Sequence, residues 1–149
     1  EMSKIKLEHL SIKNRTIYIP EDISKNRTAG VITLPKKVIH LMVDLSIFNN
    51  PSESYLFSKD FMPGLEYVNE KRFRDYWSRE IRKKLHFPAY YQFYSLKYSG
   101  ITNLLRDTNI DKLSVRDQAR HSSILITDIY TPHDIQKANA LIEAHEDVF

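Results

Sequence analysis

The chain has 149 residues, within the roughly 100 to 200 residues of one domain, and its 42% apolar and 28% charged residues are an ordinary globular balance. Its three glycines, Gly30, Gly64 and Gly100, lie too far apart for a dinucleotide-binding or phosphate-cradling loop, and the lack of cysteine excludes disulfides, thiolate metal sites and a thiol nucleophile. No run approaches the ~18 apolar residues of a membrane span, and 22 Lys and Arg against 19 Asp and Glu give +3, too little for the total to imply a polyanionic partner.

Thr16 to Ile19 and Gly30 to Leu34 are β-branched runs, each followed by proline, and the polar stretch between them predicts a hairpin with a long loop. Lys36 to Leu45 carries Val38, Leu41, Met42 and Leu45 at helical spacing, with Pro35 suited to a helix start. Asn49 to Glu53 interrupts the pattern. Tyr55 to Phe57 then reads as a short strand, and Met62 to Glu66 holds a Pro-Gly turn signal. A long helix is expected over Asn69 to Phe87, where Phe73, Trp77, Ile81 and Leu85 recur every four residues between a candidate cap at Asn69 and a stop at Pro88. Shorter helices follow over Leu96 to Arg106, Ser114 to Arg120, Ser123 to Tyr130 and Asp134 to His145, with Asn109 as a left-handed helix end and Ser114 as a cap. The last presents Ile135, Ala138, Leu141 and Ile142 on one face, which suits packing on its own domain or on a neighbouring copy. The sum is an α+β chain, mainly α, with a small antiparallel hairpin or sheet near its start.

Charge is unevenly distributed. Between Glu70 and Lys84 the bases Lys71, Arg72, Arg74, Arg79, Arg82, Lys83 and Lys84 outnumber the acids Glu70, Asp75 and Glu80, whereas from Asp128 onward acids dominate. A basic helix face can meet phosphate, and an acidic tail would be repelled by it. The succession of short helices from Ile101 to Tyr130 also admits a helix-turn-helix regulator, with bases on its second helix and no role for Tyr130.

Spacing discriminates among the nine tyrosines and six histidines. The segments Tyr94-Ser95-Leu96-Lys97-Tyr98, then Val115 to Arg120 followed by His121-Ser122-Ser123, then Thr127-Asp128-Ile129-Tyr130, fall in one order with nine residues from His121 to Tyr130. This arrangement resembles the tyrosine recombinase (phage integrase) catalytic domain, whose boxes run H-x-L-R-H-T, L-G-H-S-S and T-x-x-Y, and it is most similar to integrases of bacterial mobile elements of the Bacteroides type. Ser24 to Arg27 with Val31 to Pro35 likewise resembles the family's K-x-x-x-x-R-x-V-P-L turn. His9, His40, His86, His133 and His145 have no such surroundings.

The resemblance implies a site-specific DNA recombinase or integrase acting without metal or cofactor. Cleaving a phosphodiester in that way needs an oxygen nucleophile, cations to neutralise developing charge, and an acid for the departing 5′ oxygen. By the family pattern Tyr130 is the nucleophile, forming a 3′-phosphotyrosyl link; His121 donates a hydrogen bond to the phosphate; Lys25 is the general acid. Lys97 stands where the family has its second arginine and Tyr94 where it commonly has histidine. Lysine keeps the charge but loses the planar fork, and a tyrosine hydroxyl can donate a hydrogen bond but is a poorer proton shuttle. A catalytically weakened domain that only binds DNA or protein is therefore a competing expectation. Arg27, Arg79, Arg82, Lys83 and Arg120 are the cations expected to meet double-stranded DNA. Further implications are other recombinase protomers as partners, no membrane, and a bacterial cytoplasmic, DNA-associated location. Glu1 to Leu7 resembles the tail of the family's R-x-x-E/D-L box, with Glu1 as its acid. On that reading residues 1–149 are a single catalytic domain cut inside its first motif, without the N-terminal DNA clamp, and are expected to bind DNA weakly and not to cleave it unaided.

Overall fold

The computed structural model describes residues 1–107 and 109–131. A three-stranded antiparallel sheet opens the fold, in the order β1 (Leu10–Ser11), β2 (Thr16–Ile19), β3 (Gly30–Thr33). Thr16 pairs with Thr33 and Ile19 with Gly30, so the expected hairpin forms with residues 20–29 as its loop. Strand β1, which sets Leu10 opposite Ile17, was not predicted because two residues carry no readable period. Alternation along β2 buries Ile17 and Ile19 and exposes Tyr18. The buried pair joins Ile5, Leu7, Leu34, Ile39, Ile47 and Leu56 in the core beneath the sheet.

Helix α1 (Lys36–Asp44) starts directly after Pro35. Its inner face is Val38, Ile39 and Met42, while Leu41 and Leu45, expected on that face, are about half exposed. Tyr55 to Phe57 forms no strand of its own; Tyr55 makes isolated bridges to Lys6 and Gly64. The chain reverses at Lys59–Phe61, where Asp60 and Phe61 both take φ of 59°, rather than at Pro63-Gly64. Glycine is needed at position 64 for close approach, since a Cβ there would lie 2.8 Å from the Ser58 hydroxyl.

The basic helix runs as α2 (Glu70–Tyr76), a π turn (Trp77–Ile81) and α3 (Arg82–Lys84), with the Asn69 side chain capping the Lys71 amide at 2.9 Å. Four residues of α-helix overshoot a full turn by about 40°, so an apolar residue every fourth position would spiral off the core. Phe73 and Trp77 are both buried, and the wider π turn that follows, in which the Arg82 amide reaches back to the Trp77 carbonyl, takes up that drift and leaves Ile81 half-buried behind them. Leu85, the last of the expected stripe, is exposed, and the helix ends short of Phe87 at a left-handed His86. Phe73 and Trp77 pack against Phe93, and the Trp77 indole donates to the Tyr91 carbonyl at 2.8 Å.

Three helices follow, α4 (Ser95–Arg106), α5 (Lys112–Ala119) and α6 (Ile124–Asp128), sealed by the buried Ile101, Val115 and Thr127. The cap of α5 is Asp111, whose carboxylate accepts from the Ser114 amide, so Ser114 is the capped residue and not the cap. Arg106 is followed by an extended Asp107, whose carboxylate accepts from the Asn109 amide; the left-handed helix end lies at Arg120. Gln118 of α5 both accepts from the Thr33 amide at 2.8 Å and donates to the Thr33 carbonyl at 2.9 Å, covering the free edge of β3. The expected helix Asp134 to His145 lies outside the described residues. The fold is α+β and mainly helical, with no helix among the described residues long and apolar enough to cross a membrane.

Candidate active site

Sheet and helices meet at a cleft of about 260 Å³ lined by residues from distant parts of the chain. The hairpin loop contributes Lys25 and Asn26, the start of α4 contributes Tyr94 and Lys97, the turn after α5 contributes Arg120, His121 and Ser122, and the turn after α6 contributes Tyr130. Glu1 closes one side. Tyr94 and Lys97 are one helical turn apart, the Lys97 amide bonding to the Tyr94 carbonyl at 3.0 Å, so both reach the same side of α4. The first turn of a helix also favours an anion. Lys25, Tyr94, Lys97, His121 and Tyr130, read from the sequence as a set, thus line one cleft.

The aromatic groups are held by stacking and hydrogen bonds. The His121 and Tyr130 rings lie 5.5 Å apart at 23°, and Tyr98 flanks Tyr130 at 5.1 Å. Thr102 on α4 donates to the Tyr130 carbonyl at 3.4 Å. Nδ1 of His121 is 3.0 Å from the hydroxyl of the fully buried Thr127. Burial, and then the Lys97 ammonium, hold the His121 imidazole below the usual histidine value, which favours its neutral form. In the tautomer where Nδ1 accepts from the Thr127 hydroxyl, the opposite ring nitrogen carries the proton and is a hydrogen-bond donor; in the other tautomer Nδ1 donates to Thr127. The Tyr130 hydroxyl is raised above the ordinary tyrosine value, first by its hydrogen bond to Tyr94 and then by burial.

The other expected DNA contacts divide into two kinds. Arg79 and Lys83 stand exposed on the basic helix, and Arg27 stands exposed on the hairpin loop with φ of 50°. Arg82 instead turns back, donating to the Ala89 carbonyl at 2.6 Å and bracing the turn after α3. Arg120 is also turned inward, toward Glu1, Ser24 and Thr28, with a side chain only 14% exposed. In the sequence Thr127 stands out only as part of the T-x-x-Y pattern, although its place six residues after His121 is the signal for the imidazole contact. Gln118 carried no signal, because one glutamine on a helix gives no hint of a strand edge 85 residues away. Among the described residues no cluster of His, Asp and Glu could hold a metal ion.

No protein-family model and no curated protein matches the chain. Among solved structures it is similar to the crystal structure of XerA recombinase, with a TM-score of 0.68 and 16% identity over 96% of this chain. That overlap covers 49% of the recombinase, so the chain spans about half of its length. At this identity the likeness is one of fold: the chain shares the fold of about half of that recombinase.

Proposed function

We propose that the chain is the catalytic domain of a tyrosine-type DNA strand transferase, a site-specific recombinase or integrase that cleaves and rejoins DNA through a 3′-phosphotyrosyl intermediate. The observation that supports this most is the convergence of Lys25, Tyr94, Lys97, His121 and Tyr130 on one cleft from segments as much as 105 residues apart. On this reading the Tyr130 oxygen attacks phosphorus, its proton passing to solvent, and the bond to the 5′ oxygen breaks as Lys25 delivers a proton to that oxygen. Lys97 and the protonated nitrogen of His121 stabilise the charge on the non-bridging oxygens, while Tyr94 positions the nucleophile by hydrogen bonding. Rejoining is the same step reversed by an incoming 5′ hydroxyl. The partners are double-stranded DNA, a second DNA-clamping domain and further protomers bound to the same DNA.

Joined to an N-terminal DNA-clamping domain and incubated with a pool of nicked duplexes, the chain should yield a denaturation-resistant DNA adduct that is lost in Tyr130→Phe and kept in Tyr98→Phe. An adduct that survives Tyr130→Phe, or none while salt-sensitive DNA binding persists, refutes the proposal. The competing reading of a weakened, binding-only domain is favoured by Lys97 in place of arginine. Lys97→Arg and Lys97→Ala decide it, because equal cleavage by the alanine variant and the parent would remove Lys97 from the chemistry. The helix-turn-helix alternative fits less well, since α6 contains neither lysine nor arginine and the bases of α5, Lys112 and Arg116, are paired with Asp128 and Asp117.

A further inference from the structure

We propose that Arg120 is a positioning residue, a latch that holds the loop bearing Lys25 against the turn bearing His121. The inference rests on the proposed reading of the cleft, in which Lys25 is the proton donor. The Arg120 backbone is fixed by the end of α5: its own amide bonds to the Asp117 carbonyl at 3.0 Å, and that of His121 bonds to the Arg116 carbonyl at 3.0 Å. From there the guanidinium crosses to two other segments. Nη1 donates to Oε1 of Glu1 at 2.9 Å, and Nη2 donates to the Ser24 hydroxyl at 2.8 Å and the Thr28 carbonyl at 2.6 Å. The same Glu1 oxygen accepts from the backbone amide of Lys25 at 2.8 Å. One carboxylate oxygen therefore joins the general acid's backbone to the guanidinium, and Ser24 and Thr28 bracket Lys25 on either side.

Two further features agree with this. Arg120 has φ of 54°, a left-handed conformation in which glycine is the unstrained residue, so an arginine there must be held by its side-chain contacts. Gly30 leaves the guanidinium its path, because a Cβ at that position would fall 3.0 Å from Nε of Arg120. Arginine suits the task because its planar fork serves several acceptors at once, whereas lysine is a point charge.

Hydrogen exchange without DNA reads the latch directly. In Arg120→Gly, which relieves the left-handed backbone, the Lys25 and Thr28 amides should exchange on the order of tenfold faster while the β2–β3 ladder amides keep their rates. Glu1→Gln, which leaves the fold untouched but removes the charge, should speed the same two amides by a smaller factor. Unchanged Lys25 and Thr28 rates in both variants overturn the latch. In the adduct assay, Arg120→Gly should slow departure of a 5′ oxygen by about tenfold but leave a substrate with sulfur as the bridging 5′ atom of the scissile bond at the parent rate, because the P–S bond breaks to a thiolate that leaves without a proton. Equal slowing of both substrates overturns the link to Lys25. If exchange responds as expected and no form of the protein yields an adduct, the latch is supported and the recombinase reading falls instead.

Discussion

Thr127 shows how much of the candidate site depends on one hydroxyl. It is fully buried on α6, and its oxygen faces Nδ1 of His121. Thr127→Val keeps the shape and removes the hydroxyl, leaving Nδ1 of His121 without this partner. A loss of about 1 kcal/mol in urea unfolding, with a shift in the His121 tautomer balance read from its ring nitrogen shifts, is the expected outcome; an unaltered tautomer would disprove the contact. The imidazole itself should titrate below 6.5 by proton NMR, and Lys97→Met should move its midpoint upward, since the ammonium is the second cause of the depression after burial. A midpoint indifferent to Lys97 would contradict the geometry. His9 is lowered too, mainly by burial. For both groups the unfolded chain binds a proton more readily than the folded one, so stability falls as pH drops from about 6.5 toward the depressed folded values, and thermal melts at pH 7.5 and 5.5 should differ in that sense. The chemical identities of these residues were legible in the spacing of Tyr94, Lys97, His121 and Tyr130. Their environments were not, because burial and ring stacking arise from tertiary neighbours that no local pattern encodes.

At the level of elements, sequence reasoning succeeded where a period ran for several turns and failed where one contact decides. The hairpin, α1, the basic helix and α4 to α6 were readable from alternation, helical spacing and the cap at Asn69. The π turn was latent in the four-residue spacing of Phe73, Trp77 and Ile81, which suits neither a straight α-helix nor a heptad seam. The reversal at Asp60 and Phe61 was hidden because, although aspartate tolerates the left-handed region, phenylalanine does not favour it, and the Pro-Gly pair a few positions on gave a stronger signal. The seam between β3 and α5 had no signal at all, yet it brings the hairpin beside the helices. Gln118→Ala should cost about 1 to 2 kcal/mol by removing two hydrogen bonds, and it should expose the Thr33 amide to exchange; protection of that amide in the variant would show that the edge is held otherwise.

Across the whole molecule, the total of +3 averages a basic helix with an acidic stretch from Asp128 onward, so it understates how strongly one side can attract phosphate. The exposed Arg79 and Lys83 carry this expectation more than the internally bonded Arg82 and Arg120. Reversing both exposed charges should flatten the dependence of log binding constant on log salt by about 0.9 for each phosphate no longer neutralised, measured by fluorescence anisotropy with duplex DNA. A slope that does not change would assign the two side chains to solvent alone. The long reach of the chain has a consequence for folding order. The Glu1 to Arg120 and Thr33 to Gln118 contacts close loops of 119 and 85 residues, and the entropic cost of closure grows only as the logarithm of loop length. Once either contact forms, the other closes a much shorter remaining loop. Tyr130 and Lys25 should therefore meet late and together, in a cooperative final step, so that folding intermediates hold the helices and the hairpin but no assembled cleft.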